Sequence, residues 1–104
     1  MNKLLDLTDK PTAVITPNDV SAFGAIRAIQ TRNLIPGKDI SIVGFDDIRL
    51  ASQWHPPLTT VAQPIRKIGF IAARMLLEII NNKPGDRQVV VEPKLIIRES
   101  THAI

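Results

Sequence analysis

One stretch of the sequence, Asp39–Asp47, constrains the fold more than any other. Its apolar residues form an almost continuous run that is rich in β-branched side chains: Ile40, Ile42, Val43 and Phe45. Such a run is typical of a strand that is buried on both faces of a parallel sheet. Gly44 interrupts it near the end, where a missing side chain lets another backbone or a ligand come close. Because ligands of open α/β sheets bind at the carboxyl ends of the strands, Asp46 and Asp47 mark a candidate binding site.

Length and composition limit the classes of protein that this chain can belong to. Its 104 residues suffice for one domain, and the lack of cysteine excludes a disulfide scaffold and thiolate chemistry. The net charge of +3 comes from scattered basic residues, and aromatics make up only 4%, which argues against a nucleic-acid-binding surface. The sequence shows neither a signal peptide nor an apolar stretch long enough to span a membrane. We therefore expect a soluble, cytoplasmic protein.

Strand and helix patterns alternate along the chain, which predicts an α/β fold with a parallel sheet and flanking helices. In chain order we expect a helix end at Met1–Thr8, a strand at Thr12–Thr16, a helix up to about Arg32, a strand at Lys38–Phe45, a helical turn at Ile48–Ser52, a strand at Leu58–Val61, a helix at Ile65–Asn81, and strands at Val89–Glu92 and Leu95–Arg98. Asn33 stands where helices often end in a left-handed residue. His55-Pro56-Pro57 interrupts the alternation, because two prolines force an extended path.

Polar side chains follow two of the predicted strands. Asn18 comes after Thr12–Thr16, so it emerges at the same edge as Asp46 if the two strands are parallel. Its amide suits a polyhydroxylated ligand, but asparagine is also a common helix cap, and the sequence alone favours the cap. Asp19 is expected to be a first-turn acid that the helix dipole favours, and Asp47 to cap the turn that follows it.

The sequence gives catalysis and metal binding no support. It has no Gly-x-Ser-x-Gly motif, no histidine paired with a nucleophile and no glycine loop for phosphate. Asp46 and Asp47 are adjacent, so on a strand they would point apart rather than form an acid–base pair. His55 and His102 make no ligand cluster. We expect no enzyme activity, no metal and no cofactor.

Several motifs in fixed order resemble the C-terminal end of the lactose-repressor (LacI/GalR) family of bacterial transcriptional regulators. The matching pieces are Pro11-Thr12-Ala13-Val14, Asn18-Asp19, Gly24-Ala25, Ala28, Pro36, Asp39, Ser41-Ile42-Val43-Gly44-Phe45-Asp46-Asp47, Pro56-Pro57-Leu58-Thr59-Thr60-Val61, Gln63, Gly69 and Arg98-Glu99-Ser100-Thr101. The resemblance extends from about Lys10 to Thr101. It departs at Asn33, where the family often has glycine; asparagine tolerates the same backbone conformation.

The resemblance implies a partial periplasmic-binding-protein-like fold. In that family two α/β subdomains close on a small ligand, and this chain would be the C-terminal part of the effector-binding and dimerisation domain over residues 1–104. The DNA-binding head and most of the first subdomain would be absent. The helix at Ile65–Asn81 would then pack on the missing subdomain. Without it, we expect the apolar face of this helix to pack on the chain's own sheet or to mediate self-association.

The resemblance also assigns roles to individual residues. Asp46 would accept hydrogen bonds from ligand hydroxyls or a ring N–H, Asn18 would bind ligand, cap the helix or do both, and Gln63 would lie near the cleft. Phe23 and Trp54 would lie at the dimer contact, although Trp54 could instead cover the sheet edge. The partners implied are a small-molecule effector, expected to be a sugar, a second copy of the protein, and DNA through a head domain, with no membrane.

Two other classes of function compete with a LacI-type repressor. A periplasmic sugar-binding protein of an uptake system shares the fold, but the combination of Val-Gly-Phe-Asp-Asp with Pro-Pro-Leu-Thr-Thr fits the regulators better. The other class is an enzyme with a doubly wound fold, but this sequence lacks the catalytic residues that such an enzyme would need.

Overall fold

The computed structural model describes residues 1–103, which form two units. The first comprises Met1–Ala62 together with the segment that begins at Lys94, and the second comprises Gln63–Pro93. No helix among the described residues is long and apolar enough to cross a membrane.

The first unit contains a four-stranded sheet. Its strands are β1 (Ala13–Ile15), β2 (Ser41–Asp46), β3 (Thr59–Ala62) and β4 (Lys94–Ile96), which lie in the order β1-β2-β3-β4. The first three strands are parallel, as the alternation of strand and helix predicts. β4 is antiparallel to β3 and makes the sheet mixed.

Helices precede and connect the first strands. The short helix α1 spans Asn2–Leu5, and α2 spans Asp19–Gln30 between β1 and β2. The buried residues of α2 recur at helical spacing and include Ala22, Phe23, Ile26 and Ile29. They form one core with Ile40, Ile42, Ala51 and Leu58. Each large side chain buried there contributes about 1.5–3 kcal/mol, so this core holds the sheet and α2 together.

The expectation that β2 is buried on both faces is wrong. Ile42 and Gly44 are buried, but Ser41, Val43 and Phe45, which point to the other face, are only half-buried. β1 is also less buried than its composition suggests, since the side chain of Ile15 is 79% exposed. An apolar run indicates a strand, but it does not reveal whether packed elements cover one face or both.

A buried serine joins the C-terminal segment to the sheet. Ser100 has no exposed surface; its hydroxyl donates to the carbonyl of Ile42 at 2.6 Å and accepts from the amide of Thr59 at 2.8 Å. This side chain therefore bridges β2 and β3. The bridge lies on the N-terminal side of Gly44 and Thr60, which are in register between the two strands.

The second unit consists of helix α3 (Ile65–Ile80) and the chain that follows it. The helix confirms the predicted Ile65–Asn81, but the strand predicted at Val89–Glu92 does not form. None of the residues of α3 is buried, and several large apolar side chains, such as Leu76 at 57%, are exposed. The apolar face predicted from the sequence is thus present, and its role in self-association stays a prediction.

Candidate functional site

The carboxyl ends of β1 and β2 lie at one edge of the sheet. The two strands are hydrogen-bonded parallel neighbours, with Ile15 in register with Val43. The hydroxyl of Thr16 lies 2.9 Å from the carbonyl of Asn18 and 3.1 Å from that of Val43, which ties the turn after β1 to β2. The segments that carry Asn18 and Asp46 therefore leave the sheet at the same edge, as the sequence predicts, and both residues are half-buried.

Asn18 caps helix α2. Its backbone is extended, and its Oδ1 accepts a hydrogen bond from the amide of Ser21 at 2.8 Å. Within residues 1–103 its Nδ2 group has no hydrogen-bond partner. The capping role is confirmed. Because capping occupies only the oxygen, the amide N–H groups can still donate to a ligand, and the ligand-binding role stays a prediction.

The chain turns sharply after β2. Asp46 and Asp47 have φ angles of 113° and 53°, in the left-handed region that residues other than glycine seldom adopt. The predicted capping role of Asp47 is wrong, because the following 3-10 helix, Arg49–Ser52, begins after Ile48 and has no side-chain cap. Asp47 Oδ1 instead accepts from Arg98 Nη2 at 2.7 Å.

This ion pair connects the turn to the segment after β4. The side chains of Asp47 and Arg98 are 25% and 18% exposed, so solvent screens their interaction less than at an open surface. Arg98 Nη1 also donates to the carbonyl of Leu58, at 2.8 Å. The guanidinium thus holds the turn against the start of β3.

Asp19 plays a part that the sequence did not reveal. It lies in the first turn of α2, as expected, but it has no exposed surface. Its Oδ1 accepts from the hydroxyl of Thr60 at 2.5 Å, and its Oδ2 accepts from the amide of Ile48 at 2.8 Å. A Cβ atom on Gly44 would collide with Asp19 Oδ1. The glycine in β2 was the available signal, because it indicates a close approach without naming the group that approaches.

Phe23 and Trp54 are in contact. Their rings stack with centroids 4.2 Å apart and an interplanar angle of 22°. Phe23 is only 7% exposed, so it lies in the core, while Trp54 is half-buried above it. Trp54 therefore covers a side chain of α2. The dimer contact stays a prediction, in which Trp54 presents the surface and Phe23 supports it from behind.

Gln63 is the third residue predicted to contact the ligand. Gln63 follows β3 directly and belongs to the second unit, and its contact with ligand stays a prediction. No group of three or more metal-ligating side chains occurs in the described part of the chain. A surface depression of about 510 Å³ lies between α1, β1 and α2, and Asp46 is not among its lining residues.

The chain matches the family model of the periplasmic binding protein-like domain over residues 1–101. It is 41% identical over 105 residues to the HTH-type transcriptional repressor PurR of Aliivibrio salmonicida, covering 100% of this chain and 32% of that protein. It is 40% identical over 105 residues to the ribose operon repressor of Haemophilus influenzae, again covering 100% of this chain and 32% of that protein.

Solved structures give the same result. The Lac repressor dimer bound to operator and the anti-inducer ONPF superposes with a TM-score of 0.91 and 35% identity, covering 98% of this chain and 36% of that chain. A regulatory protein of the LacI family from Chloroflexus aggregans gives a TM-score of 0.86 and 38% identity, covering 97% and 37%.

The chain spans about a third of the length of these relatives. They are named as transcriptional regulators, so the alternative of a periplasmic uptake receptor is not supported. The order of the motifs, the sheet with its acidic strand end and the superposition agree. The chain therefore belongs to the periplasmic binding protein-like domain family, and the relatives that it resembles within this family are LacI-type transcriptional repressors.

Proposed function

We propose that this chain forms one wall of the effector site of a LacI-type transcriptional repressor. In this proposal the carboxylate of Asp46 accepts hydrogen bonds from the effector, and the Nδ2 group of Asn18 donates to it while Oδ1 remains in the helix cap. The observation that carries the proposal is the position of these two half-buried side chains at the carboxyl ends of adjacent parallel strands, where ligands of α/β sheets bind: Asp46 is the last residue of β2, and Asn18 follows β1.

The class of effector follows from this donor and acceptor pair. A sugar offers neighbouring hydroxyls that both donate and accept, which matches a carboxylate beside an amide. A heterocycle with a ring N–H is the second candidate, since the carboxylate can accept that hydrogen bond equally well. The similarity to the ribose operon repressor of Haemophilus influenzae supports the sugar. The opposite wall of the site, with Gln63 near its border, would come from a further subdomain like those of the longer relatives.

Effector binding would change the affinity for operator DNA. A ligand that binds one arrangement of the two subdomains better than another shifts their equilibrium, and a head domain outside this chain would transmit the shift to DNA. A homodimer would bring two heads together, and we assign its contact to the surface around Trp54. In this role the protein acts in the cytoplasm, with no catalytic step and no cofactor.

The test begins with the isolated chain labelled with ¹⁵N. D-ribose and adenine, added at millimolar concentration, represent the two effector classes. We expect one of them to shift the amide resonances of Ser21 and of Asp46–Ile48, and Asp46→Ala to remove these shifts. Asp9→Ala, which deletes an exposed carboxylate away from this edge, is the matched control and should leave them unchanged. Probe-induced shifts that persist in Asp46→Ala would exclude Asp46 from the site.

The regulatory part of the proposal needs the full-length protein. There Asp46→Ala should abolish the response of operator binding to effector while the affinity for operator in the absence of effector stays the same. An undiminished effector response would contradict the assignment. Loss of operator binding itself would point to a folding defect, which the Asp9→Ala control and circular dichroism would identify.

A further inference from the structure

The proposed function does not explain why the carboxylate of Asp19 is buried. The carboxylate of Asp19 has no exposed surface, and both of its oxygens accept hydrogen bonds. Burying a carboxylate is costly unless donors surround it, so its place in the core calls for a physical reason. Its two donors come from different elements, a strand and the turn that follows another strand.

The position of Asp19 is fixed from three sides. It begins helix α2, directly after the capping residue Asn18. Its Oδ1 is held by Thr60, which is paired in register with Gly44 on β2. Since Gly44 has no side chain, the carboxylate lies against the backbone of β2 two residues before Asp46.

The second oxygen acts on the turn itself. The amide of Ile48, which donates to Asp19 Oδ2 at 2.8 Å, comes two residues after Asp46. The two residues before Ile48, Asp46 and Asp47, both have positive φ angles, a region that residues other than glycine seldom adopt. Such a conformation persists only where surrounding contacts determine it. Here the hydrogen bond to Ile48 holds the end of the turn, and Arg98 holds Asp47 in its middle.

We infer that Asp19 is the positioning residue of the effector site: its buried carboxylate, held by Thr60, fixes the Asp46–Ile48 turn and so presents the carboxylate of Asp46 in its binding orientation. The consequence for binding rests on the proposed function, whereas the effect on the turn does not. The role requires an acceptor at the position of Oδ2. Asparagine can supply it by directing its oxygen to Ile48 and its NH₂ to the Thr60 hydroxyl, which reverses to accept.

The test compares Asp19→Ala with Asp19→Asn by NMR on the intact chain. Three quantities are measured: hydrogen exchange of the Ile48 amide, the backbone couplings that report φ at Asp46 and Asp47, and the shifts that ribose or adenine induces. In Asp19→Ala we expect exchange at Ile48 to rise at least about tenfold, since a hydrogen bond to a charged group is lost. The positive-φ couplings and the probe-induced shifts at Asp46 should be lost with it. Asp19→Asn should restore all three.

Asp39→Ala is the matched control. It removes another carboxylate-to-amide hydrogen bond, from the amide of Ile35 at 2.7 Å, in the turn that precedes β2. It should leave Ile48 exchange and the Asp46 couplings unchanged. If both carboxylate deletions alter the turn equally, Asp19 acts only through general stability and the inference is wrong.

A milder pair of variants decides the question if Asp19→Ala does not fold. Thr60→Val removes the hydroxyl that holds Asp19 but keeps the volume, and Thr60→Ser retains the hydroxyl. Faster Ile48 exchange in the first and normal exchange in the second support the inference. A folded Asp19→Ala or Thr60→Val chain with unchanged Ile48 exchange and unchanged Asp46 couplings would overturn it. If neither probe shifts the amide resonances of the unmodified chain, the effector proposal loses its support. Ile48 exchange and the Asp46 couplings then still test the positioning role.

Discussion

Gly44→Ala tests how tightly the buried carboxylate is packed beneath the turn. A Cβ atom at this position would meet Asp19 Oδ1 and would lie 2.8 Å from Leu58 Cδ2. Two effects oppose each other. Alanine suits a strand interior better than glycine by about 0.5–1 kcal/mol, but overpacking a well-filled site costs about 1–3 kcal/mol.

The displacement of the Asp19 carboxylate determines which of these two effects is larger. To make room, Asp19 must move away from the hydroxyl of Thr60 or the amide of Ile48, and a lost hydrogen bond to a charged group costs about 1.5–3 kcal/mol more. We therefore expect Gly44→Ala to lower the free energy of unfolding of the first unit by about 3 kcal/mol.

Urea unfolding followed by tryptophan fluorescence measures this change. Trp54 is the one tryptophan of the chain and stacks on Phe23 in the first unit, so its emission reports the unfolding of that unit. Gly24→Ala is the control: this helix position has nothing within 4 Å of an added Cβ, and alanine should stabilise α2 by about 1 kcal/mol. If both substitutions stabilise the chain, or if Gly44→Ala costs less than about 0.5 kcal/mol, the packing argument is refuted.

Four further substitutions probe other contacts and surfaces. Ser100→Ala should lower the free energy of unfolding by about 2–3 kcal/mol in urea unfolding, because it leaves a buried amide and a buried carbonyl without their shared partner; a loss below about 0.5 kcal/mol would contradict this. Arg98→Met should cost about 1–2 kcal/mol and should also reduce the coupling at Asp47 that reports positive φ; an unchanged coupling would show that the turn does not need the ion pair. Sedimentation velocity should show whether the chain self-associates through α3 or through the proposed dimer contact: Leu76→Lys should dissociate the first kind of oligomer and Trp54→Ala the second, and an oligomer that resists both would exclude both surfaces.

Features that depend on neighbouring residues could be predicted from the sequence. The end of α2 illustrates this, because Asn33 adopts a φ of 57°, the left-handed conformation that asparagine tolerates after a helix. The shared edge of Asn18 and Asp46 was also predictable, since a strand–helix–strand unit makes its two strands parallel and sends both carboxyl ends the same way.

Features that depend on distant partners could not be predicted. Asp47 is adjacent to a helical turn, so capping was the local expectation, but its partner Arg98 lies 51 residues further along the chain. Similarly, Asp19 at the start of a helix is a common surface residue, and its partner Thr60 is 41 residues away. A short polar side chain gives no local sign of which remote donor it will meet. Periodicity also failed for β2, whose apolar run is covered fully on one face and partly on the other.

The two carboxylates whose distant partners the sequence did not reveal, Asp19 and Asp47, share one physical role, which bears on how the proposed site works. Both hold the turn, Asp19 through the backbone amide of Ile48 and Asp47 through the guanidinium of Arg98. Both anchors lie in the first unit, as does Asp46 between them. In the proposed effector site, these two contacts would hold the turn that carries Asp46 in one conformation. Residues that are already held in place lose little conformational entropy when a ligand binds. More of the free energy of effector binding is then left to shift the equilibrium between subdomain arrangements.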